Sequence, residues 1–314
     1  MGKATREVYD PGVVLSTHKL SKKYSDVTAL APLDLAVKRG EVLGYLGPNG
    51  AGKTTTIRLL LGLIRPTTGQ AKIFGLDVQE QKVEVHKRLA YVPGEAMLWP
   101  SLTGAETLHL LAKLHGQVDT AYRKELIKRF DFEPNKKVRA YSKGNRQKIN
   151  LIAALSTRAE LLVMDEPTAG LDPIMEEAFR QSIMEAKANG QTVFLSSHIL
   201  SEAEALCDRL AILRKGKLAE LGTLDQLRHL SAVTVEATFA GQPPKVAGLT
   251  GVKNVHIAGR QLTCQVQGDI APLLSALAAA KPKTLLSREP SLEELFLSLY
   301  GDKDIRNPGT DDES

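Results

Sequence analysis

Compact apolar segments alternate with amphipathic segments along the first 230 residues. Val42–Leu46 and Leu161–Asp165 are short, largely apolar runs, which is typical of strands buried on both faces of a sheet. Residues 53–63 and 144–155 place apolar side chains at helical spacing. We therefore predict an α/β fold in which helices flank a mostly parallel sheet, with strand-rich segments at the front. Similar patterns predict strands at 13–20, 33–37, 89–93 and 192–196, and helices at 105–115, 122–130, 202–206 and from Pro173 onward.

The pattern changes near residue 230. The following segments are strand-like at 233–239, 252–257 and 261–266 and helix-like at 270–280 and 291–299. We therefore predict a main domain over residues 13–228 and a small C-terminal α+β domain over residues 231–300. Residues 302–314 are polar and acidic, which predicts a disordered tail.

The composition is that of an ordinary globular protein, with 43% apolar and 25% charged residues among 314. No apolar run approaches the ~18–20 residues that cross a bilayer, and the polar first ten residues do not resemble a signal peptide. We therefore expect the chain to stay in the cytosol. Cys207 and Cys264 are too few and too far apart to indicate a disulfide framework or a metal site.

The net charge of +5 is unevenly distributed, with +7 in residues 1–230 and −2 in residues 231–314. A basic excess is compatible with nucleic acid, with phosphate ligands or with an acidic membrane surface. The chain has no basic run interleaved with aromatic residues. We therefore interpret the excess as serving phosphate ligands or a membrane surface, and we expect no nucleic-acid partner.

A glycine-rich segment joins the predicted strand Val42–Leu46 to a predicted helix, and its residues are Gly47, Pro48, Asn49, Gly50, Ala51, Gly52, Lys53 and Thr54. This order fits the P-loop pattern of nucleoside triphosphatases. Glycines let the backbone direct its N–H groups at a phosphate, at the positive end of the helix. We expect Lys53 to reach the β- and γ-phosphates, Thr54 to ligate Mg²⁺, and Thr55 to complete the nucleotide-binding segment.

Two carboxylates follow the apolar residues of the predicted strand Leu161–Asp165. Parallel strands end at one edge of a sheet, so Asp165 should lie beside the P-loop. We expect Asp165 to hold Mg²⁺, mostly through water, and Glu166 to polarise the attacking water as a general base. An Asp-Glu pair after a buried strand is common in other contexts. The functional assignment of this pair therefore depends on the P-loop in the same chain.

The segment from Tyr141 to Lys148 reads Y-S-K-G-N-R-Q-K and resembles the signature sequence of ABC ATPases, usually written L-S-G-G-Q. Ser142 and Gly144 match the family positions. Lys143 and Asn145 replace the first glycine and the glutamine, a form familiar in the exporter branch of the family. A serine hydroxyl and a glycine N–H at a helix N-terminus suit a γ-phosphate, although a serine here is also an ordinary helix cap.

Three further matches stand in the order of the same family. Asp172 ends a loop, A-G-L-D, that resembles the family segment touching the partner subunit, and we assign it to the nucleotide site. His198 ends a predicted strand where the family has its switch histidine, a γ-phosphate contact. Tyr24 matches the aromatic residue that stacks on adenine. Taken singly, such a histidine or tyrosine more often only packs, and it is the order of all six motifs that supports these roles.

The resemblance covers about residues 13–225 and implies a P-loop NTPase of the ABC type, with a front β-subdomain and a helical subdomain carrying the signature. It implies an enzyme that hydrolyses ATP with Mg²⁺, and a second ATP-binding subunit so that two chains sandwich two ATP molecules. It also implies a separate transmembrane permease, and hence a peripheral position on the cytoplasmic face of the membrane. Residues 290–296, P-S-L-E-E-L-F, resemble the ending of such subunits in drug and polyketide exporters.

Two non-transport alternatives come from the same superfamily. DNA-repair and chromosome-handling ATPases insert long coiled coils between P-loop and signature, whereas residues 55–140 have no sustained heptads. Translation factors carry two such domains in tandem, whereas this chain has one P-loop. An ATPase acting on nucleic acid or the ribosome is thus the alternative to an exporter subunit, while the substrate and the choice between homodimer and heterodimer stay open.

One position departs from the family pattern. After the predicted strand at 89–93 the family has a glutamine that reaches Mg²⁺ or the attacking water, and this chain has Gly94 followed by Glu95. Either Glu95 takes over that role, or water fills the Mg²⁺ position and Gly94 serves as a hinge. In the second case, residues 95–99 form a surface for the permease, with Trp99 as its anchor.

Overall fold

A computed structural model describes residues 10–95, 97–229 and 233–288 of the chain. The chain divides into two compact units, one ending at Leu221 and one beginning at Gly222. This division falls several residues before the domain boundary predicted at 228–231.

The larger unit is built around a six-stranded sheet with the order β10-β9-β3-β8-β7-β6. Its strands are β3 (Val42–Leu46), β6 (Leu89–Val92), β7 (Leu161–Asp165), β8 (Thr192–Ser197), β9 (Arg209–Arg214) and β10 (Lys217–Gly222). Strand β3 pairs in parallel with β8 and β9, and β7 pairs in parallel with β6 and β8. Every residue of β3, β7 and β8 is buried, as expected for apolar strands covered on both faces. The carboxyl ends of β3, β8, β7 and β6 therefore meet at one edge of the sheet.

A second sheet has the order β2-β1-β4-β5. Its strands are β1 (Val13–Tyr24), β2 (Val27–Lys38), β4 (Thr68–Ile73) and β5 (Leu76–Asp77). Each neighbouring pair in it is antiparallel. It shares one apolar core with the first helix and with one face of the central sheet, in which Leu15, Leu43, Tyr45 and Ile57 are fully buried. This shared core holds the front sheet beside the strand that leads into the P-loop.

The helices of the larger unit are α1 (Lys53–Leu60), α2 (Lys82–His86), α3 (Gly104–His115), α4 (Thr120–Arg129), α5 (Lys143–Leu155), α6 (Pro173–Ala188) and α7 (Leu200–Leu206). A second core packs residues of α3 to α6 against the other face of the central sheet, including Phe130 and Ile149 beside Leu162 and Met164. Polar side chains cap α3, α4, α5 and α6, where the first backbone N–H groups lack helical partners. Thr103 forms a complete capping box with Glu106 at the start of α3.

The smaller unit contains α8 (Leu224–His229), α9 (Ala271–Ala279) and four strands, β11 (Val233–Thr238), β12 (Val252–Ala258), β13 (Gln261–Val266) and β14 (Thr284–Arg288). The strands form a sheet in the order β12-β13-β11-β14, and all three pairings are antiparallel. Alternate residues of β13, such as Leu262 and Cys264, are buried in a core with Leu273 and Leu277 of α9.

The predicted α/β class with helices around a mostly parallel sheet is confirmed, and most differences concern the ends of elements. Strand β1 runs on to Tyr24, and α1 ends at Leu60 although the apolar pattern continues to Leu63. The elements α2, α8, β4, β5, β9, β10 and β14 were not predicted. The helix expected at 291–299, the exporter-like segment 290–296 and the tail 302–314 lie outside the described residues.

Candidate nucleotide-binding site

The P-loop leaves β3 and enters α1 through backbone conformations that only glycine adopts easily. Gly52, immediately before the helix, has φ +104°, and a Cβ built on it would lie 2.5 Å from the carbonyl oxygen of Ala29. No side chain caps the first turn of α1. The N–H groups at the start of this helix therefore remain available to an anion, which is the requirement for binding phosphate.

Lys53 lies inside this loop and is almost completely buried. Its Nζ donates hydrogen bonds to the carbonyl oxygens of Gly47 at 2.6 Å and Pro48 at 3.2 Å. The same Nζ lies 3.1 Å from Oε1 of Glu166. A buried ammonium requires such partners, and phosphate oxygens entering the loop would offer it stronger ones.

The hydroxyls that follow Lys53 have different surroundings. Thr54 is exposed and Thr55 is half-buried at the start of α1. Thr56 is fully buried, and its hydroxyl donates to the carbonyl oxygen of Gly52 and contacts the Tyr45 hydroxyl. Thr54 is therefore the accessible hydroxyl of the three, as its predicted role at Mg²⁺ requires.

Asp165 and Glu166 lie at the end of β7 and are held by the neighbouring strand β8. The Ser196 hydroxyl donates to Oδ1 of Asp165 at 2.6 Å. The backbone N–H of Glu166 donates to the Ser196 carbonyl oxygen at 3.0 Å. The same backbone nitrogen lies 3.2 Å from the Ser196 hydroxyl oxygen. Glu166 has a left-handed backbone, φ +46°, which turns its side chain out of the strand direction. Ser196 thus orients the Asp165 carboxylate and fixes the backbone of Glu166, a role that the sequence did not reveal.

Glu166 lies between two cationic or potentially cationic groups. Its Oε1 contacts Lys53, and its Oε2 lies 3.2 Å from Nδ1 of His198. Burial raises the pKa of the Glu166 carboxyl, but Lys53 and then His198 lower it further, and the net pKa is below the ordinary glutamate value. The structure therefore brings together Lys53, Glu166 and His198, which the sequence predicted in separate motifs.

Ser142 of the signature segment and Asp172 of the A-G-L-D loop each cap a helix in this structure. Ser142 caps α5 and accepts a hydrogen bond from the N–H of Asn145 at 3.2 Å. Asp172 caps α6 and accepts from the N–H groups of Ile174 and Met175. Both roles are the local ones that such residues commonly have. The nucleotide contacts predicted for Ser142, Gly144 and Asp172 therefore stay predictions.

Tyr24 ends β1 with its ring about half exposed, and the ammonium of Lys22 lies 4.9 Å from the ring centroid. An exposed aromatic ring on the front sheet is available for stacking on a base. The predicted adenine contact itself stays a prediction.

Gly94 follows β6 and lies against the end of β7. A Cβ built on Gly94 would lie 3.1 Å from the carbonyl oxygen of Asp165. Gln147 of α5 is fully buried beside it, and its Nε2 donates to the carbonyl oxygens of Pro167 at 3.1 Å and Pro93 at 3.4 Å. Gln147 thus links the signature helix to the segments that follow β6 and β7, which sequence reasoning did not detect. The Glu95 side chain is exposed.

An open groove of about 840 Å³ lies on the larger unit beside β6. Large apolar side chains line it and are substantially exposed, among them Leu63, Val83, Met97, Trp99 and Leu114. Met97 is 90% exposed, and several large apolar side chains exposed along one groove are typical of an interaction surface.

A glycine-rich loop between a strand and a helix, a buried lysine inside it, and an acidic pair on a parallel strand of the same sheet define a P-loop nucleoside triphosphatase. Residues 30–169 match the ABC transporter family. The chain is 36% identical to the daunorubicin resistance ATP-binding protein DrrA3 of Streptomyces coeruleorubidus, over 90% of this chain and 94% of that protein. It is 37% identical to the bacitracin transport ATP-binding protein BcrA of Bacillus licheniformis, over 92% of this chain and 97% of that protein.

A Nod factor export ATP-binding protein I, from Cupriavidus pinatubonensis, is 33% identical over 92% of this chain and 91% of its own length. A solved structure of an ATP-binding subunit of an ABC transporter superposes with a TM-score of 0.64 and 34% identity, covering 68% of this chain and 92% of that one. The chain therefore belongs to the ABC transporter family, as one of its ATP-binding subunits. It binds ATP with Mg²⁺ and hydrolyses ATP. Within residues 10–95, 97–229 and 233–288, no helix is long and apolar enough to cross a membrane.

Proposed function

We propose that this chain powers the export of a drug-like or antibiotic compound through a separate membrane permease. The observation that carries the proposal is the likeness, over nine-tenths of the chain, to proteins named for daunorubicin resistance, bacitracin transport and Nod factor export. These names refer to resistance, transport and export, and each names a different compound. The alternative, an ATPase acting on nucleic acid or the ribosome, has no comparable support.

At the nucleotide, Lys53 binds the β- and γ-phosphates, and Thr54 and Asp165 hold Mg²⁺ as hard oxygen ligands. Bound there, Mg²⁺ neutralises charge on the phosphate oxygens. Glu166 is the general base, and its contacts with Lys53 and His198 hold the pKa of its carboxyl below the ordinary glutamate value. When phosphate draws Lys53 away, Glu166 loses its largest lowering contact. Its pKa then rises towards the ordinary value, which makes it a better proton acceptor.

The second half of each site belongs to another ATP-binding subunit in this proposal. Ser142 is exposed and begins α5, so its hydroxyl and the N–H groups of that helix can face a phosphate brought by a second chain. Asp172 caps α6 and lies six residues after Glu166 in the chain, so the proposed intersubunit loop follows directly on the segment that carries the catalytic carboxylate. Binding of ATP and closure of the pair are then one event, and hydrolysis reverses it.

The permease docks into the groove beside β6 and places the chain at the cytoplasmic face of the membrane. Burying the exposed surface of Trp99, Met97 and Leu114 would remove apolar area from water, which favours an apolar helix or loop as the occupant. Pro93 lines the groove, and the Gln147 side chain links Pro93 to Pro167, the residue after Glu166. In this proposal docking is connected to hydrolysis through the hydrogen bonds of the buried Gln147 side chain.

Inverted membrane vesicles that contain the chain and its permease test this function. ATP and Mg²⁺ should drive accumulation of a fluorescent anthracycline or another labelled antibiotic, and vesicles with the Glu166→Gln variant should accumulate none. Vesicles made with Glu133→Gln, an equivalent change at an exposed surface residue, provide the control. Absence of ATP-driven accumulation across a broad compound panel, together with ATPase stimulation by RNA or ribosomes, would instead support the alternative function.

A further inference from the structure

The Ser197 hydroxyl holds the turn that carries His198. Ser197 Oγ accepts a hydrogen bond from the N–H of Ile199 at 2.9 Å and donates to Oε2 of Glu202 at 2.6 Å. His198 lies between Ser197 and Ile199 in the chain. Its side chain is about half exposed, and its Nδ1 lies 3.2 Å from Oε2 of Glu166. The orientation of the imidazole at Glu166 therefore depends on a turn that is fixed from behind by Glu202.

Glu202 is an unusual residue for a purely structural anchor. It lies in the first turn of α7 and is largely removed from water. Burial raises the pKa of its carboxyl, and this outweighs the Ser197 and Thr168 hydroxyls, which lower it. Removing a carboxyl from water costs free energy unless it is hydrogen-bonded, and Oε1 of Glu202 is buried without a hydrogen-bond partner among the described residues. The hydroxyls beside it belong to the segments that carry His198 and that follow Glu166.

Glu202 lines a cavity of about 240 Å³, and none of the residues that line this cavity belongs to the P-loop. Thr168, Glu176 and Glu202 line it together with residues of α6 and α7. Glu202 thus acts on the nucleotide site through other residues and not by contact with the nucleotide. A residue in this position influences hydrolysis only by controlling where His198 and the segment after Glu166 lie.

We propose that Glu202 is a positioning residue for ATP hydrolysis, which through the Ser197 hydroxyl fixes the turn that presents His198 to Glu166. The proposal rests on the general-base role proposed above for Glu166 and on the γ-phosphate contact expected of His198. Without the Glu202 carboxyl, Ser197 Oγ keeps only the poorer acceptor on its own turn, the Ile199 carbonyl oxygen at 3.4 Å. The turn then loses the side-chain hydrogen bond that ties Ser197 to α7.

Steady-state ATP hydrolysis by the full-length chain separates this role from a merely structural one. Glu202→Ala should lower kcat by about 10- to 100-fold with little change in the KM for ATP, because a misplacement of about 1 Å near the reacting groups has an effect of that order. Glu202→Gln retains an oxygen that accepts from Ser197 and should restore most of the rate. Ser197→Ala, a smaller change, should reproduce the loss.

The matched control is Glu177→Ala, which removes a carboxylate from the rim of the same cavity, where it pairs with Arg180. It should leave kcat unchanged. Thermal unfolding of each variant identifies any loss of rate that comes from unfolding, and the Ser197→Ala variant carries the test if Glu202→Ala does not fold.

Combination with His198→Ala completes the test. If Glu202 acts through His198, Glu202→Ala should cause no further loss of kcat in the His198→Ala background. Independent, multiplicative losses would overturn the proposal, as would a wild-type kcat in both Glu202→Ala and Ser197→Ala. Full activity of Glu166→Gln and His198→Ala would show instead that the underlying catalytic assignment is wrong, and the positioning role would fall with it.

Discussion

Gly144 lies so close to the loop after Glu166 that a single methyl group should disturb hydrolysis. A Cβ built on Gly144 would lie 2.2 Å from the carbonyl oxygen of Gly170. Ordinary contacts of this kind begin near 3.4 Å. The Gly144→Ala substitution therefore forces the two segments apart by about 1 Å, because the backbone of Gly170 cannot yield by a side-chain rotation.

The expected cost follows from that overlap. Overpacking of this kind destabilises a protein by about 1–3 kcal/mol. For a unit of this size each kcal/mol lowers the melting temperature by about 2–4 °C. Gly170 lies between Glu166 and Asp172, and Ala169 donates its N–H to the Glu166 carbonyl oxygen, so the displacement reaches the catalytic carboxylate. We expect kcat for ATP to fall about 100-fold, the effect of a displacement of about 1 Å.

The assay pairs thermal unfolding with steady-state hydrolysis on Gly144→Ala and on Gly241→Ala. Gly241 has open space around its Cβ position and no positive φ, so the same methyl group should change neither quantity there. Gly144→Ala protein with a wild-type melting temperature and wild-type kcat would refute the reasoning. The close contact also means that Gly144→Asp, a natural choice for disabling the signature, disturbs its own chain as well as any partner.

Three further predictions concern the P-loop, the shared site and the groove. Lys53→Ala should abolish hydrolysis and most ATP affinity while the chain stays folded, because backbone N–H groups cannot replace the ammonium charge; equilibrium nucleotide binding and circular dichroism check this. Mixing inactive Lys53→Ala chains with inactive Ser142→Arg chains should restore part of the ATPase activity, since a mixed pair contains one intact composite site; no rescue while subunits exchange would argue against sharing. Glu95→Ala should hydrolyse ATP almost normally without the permease, whereas Trp99→Ala should lose copurification with it. A collapse of Mg²⁺-dependent hydrolysis in isolated Glu95→Ala protein would show that Glu95 replaces the missing glutamine.

The parts of the fold that the sequence predicted well are those with a strong local signal. Strands β3 and β7 are apolar runs with sharp ends, and their predicted bounds equal the observed ones. Strand β4 has only two buried residues among six, so its sequence lacks the alternation that reveals a strand. Helix α2 is five residues long, too short for helical periodicity to be recognised.

The candidate site divides in the same way. Lys53 and Glu166 each belong to a motif of residues that are adjacent in the sequence, so both motifs could be recognised from the sequence alone. Ser196 and Gln147 act through contacts between segments far apart in the chain, such as the hydrogen bond from Ser196 to Asp165 across two strands. No periodicity or motif indicates such a pairing, because it depends on which strands become neighbours in the sheet.

The central claim is that Glu166 is the base for ATP hydrolysis in a site completed by a second subunit. It is tested most directly by the Glu166→Gln variant, measured for ATP hydrolysis and for association on size-exclusion chromatography with ATP and Mg²⁺. The substitution preserves shape and removes proton acceptance, so hydrolysis should fall by about 10²- to 10⁴-fold. ATP should still bind, and the variant should elute as a dimer that the Glu133→Gln control does not accumulate. Hydrolysis near the wild-type rate, or a variant that stays monomeric with ATP bound, would contradict the account.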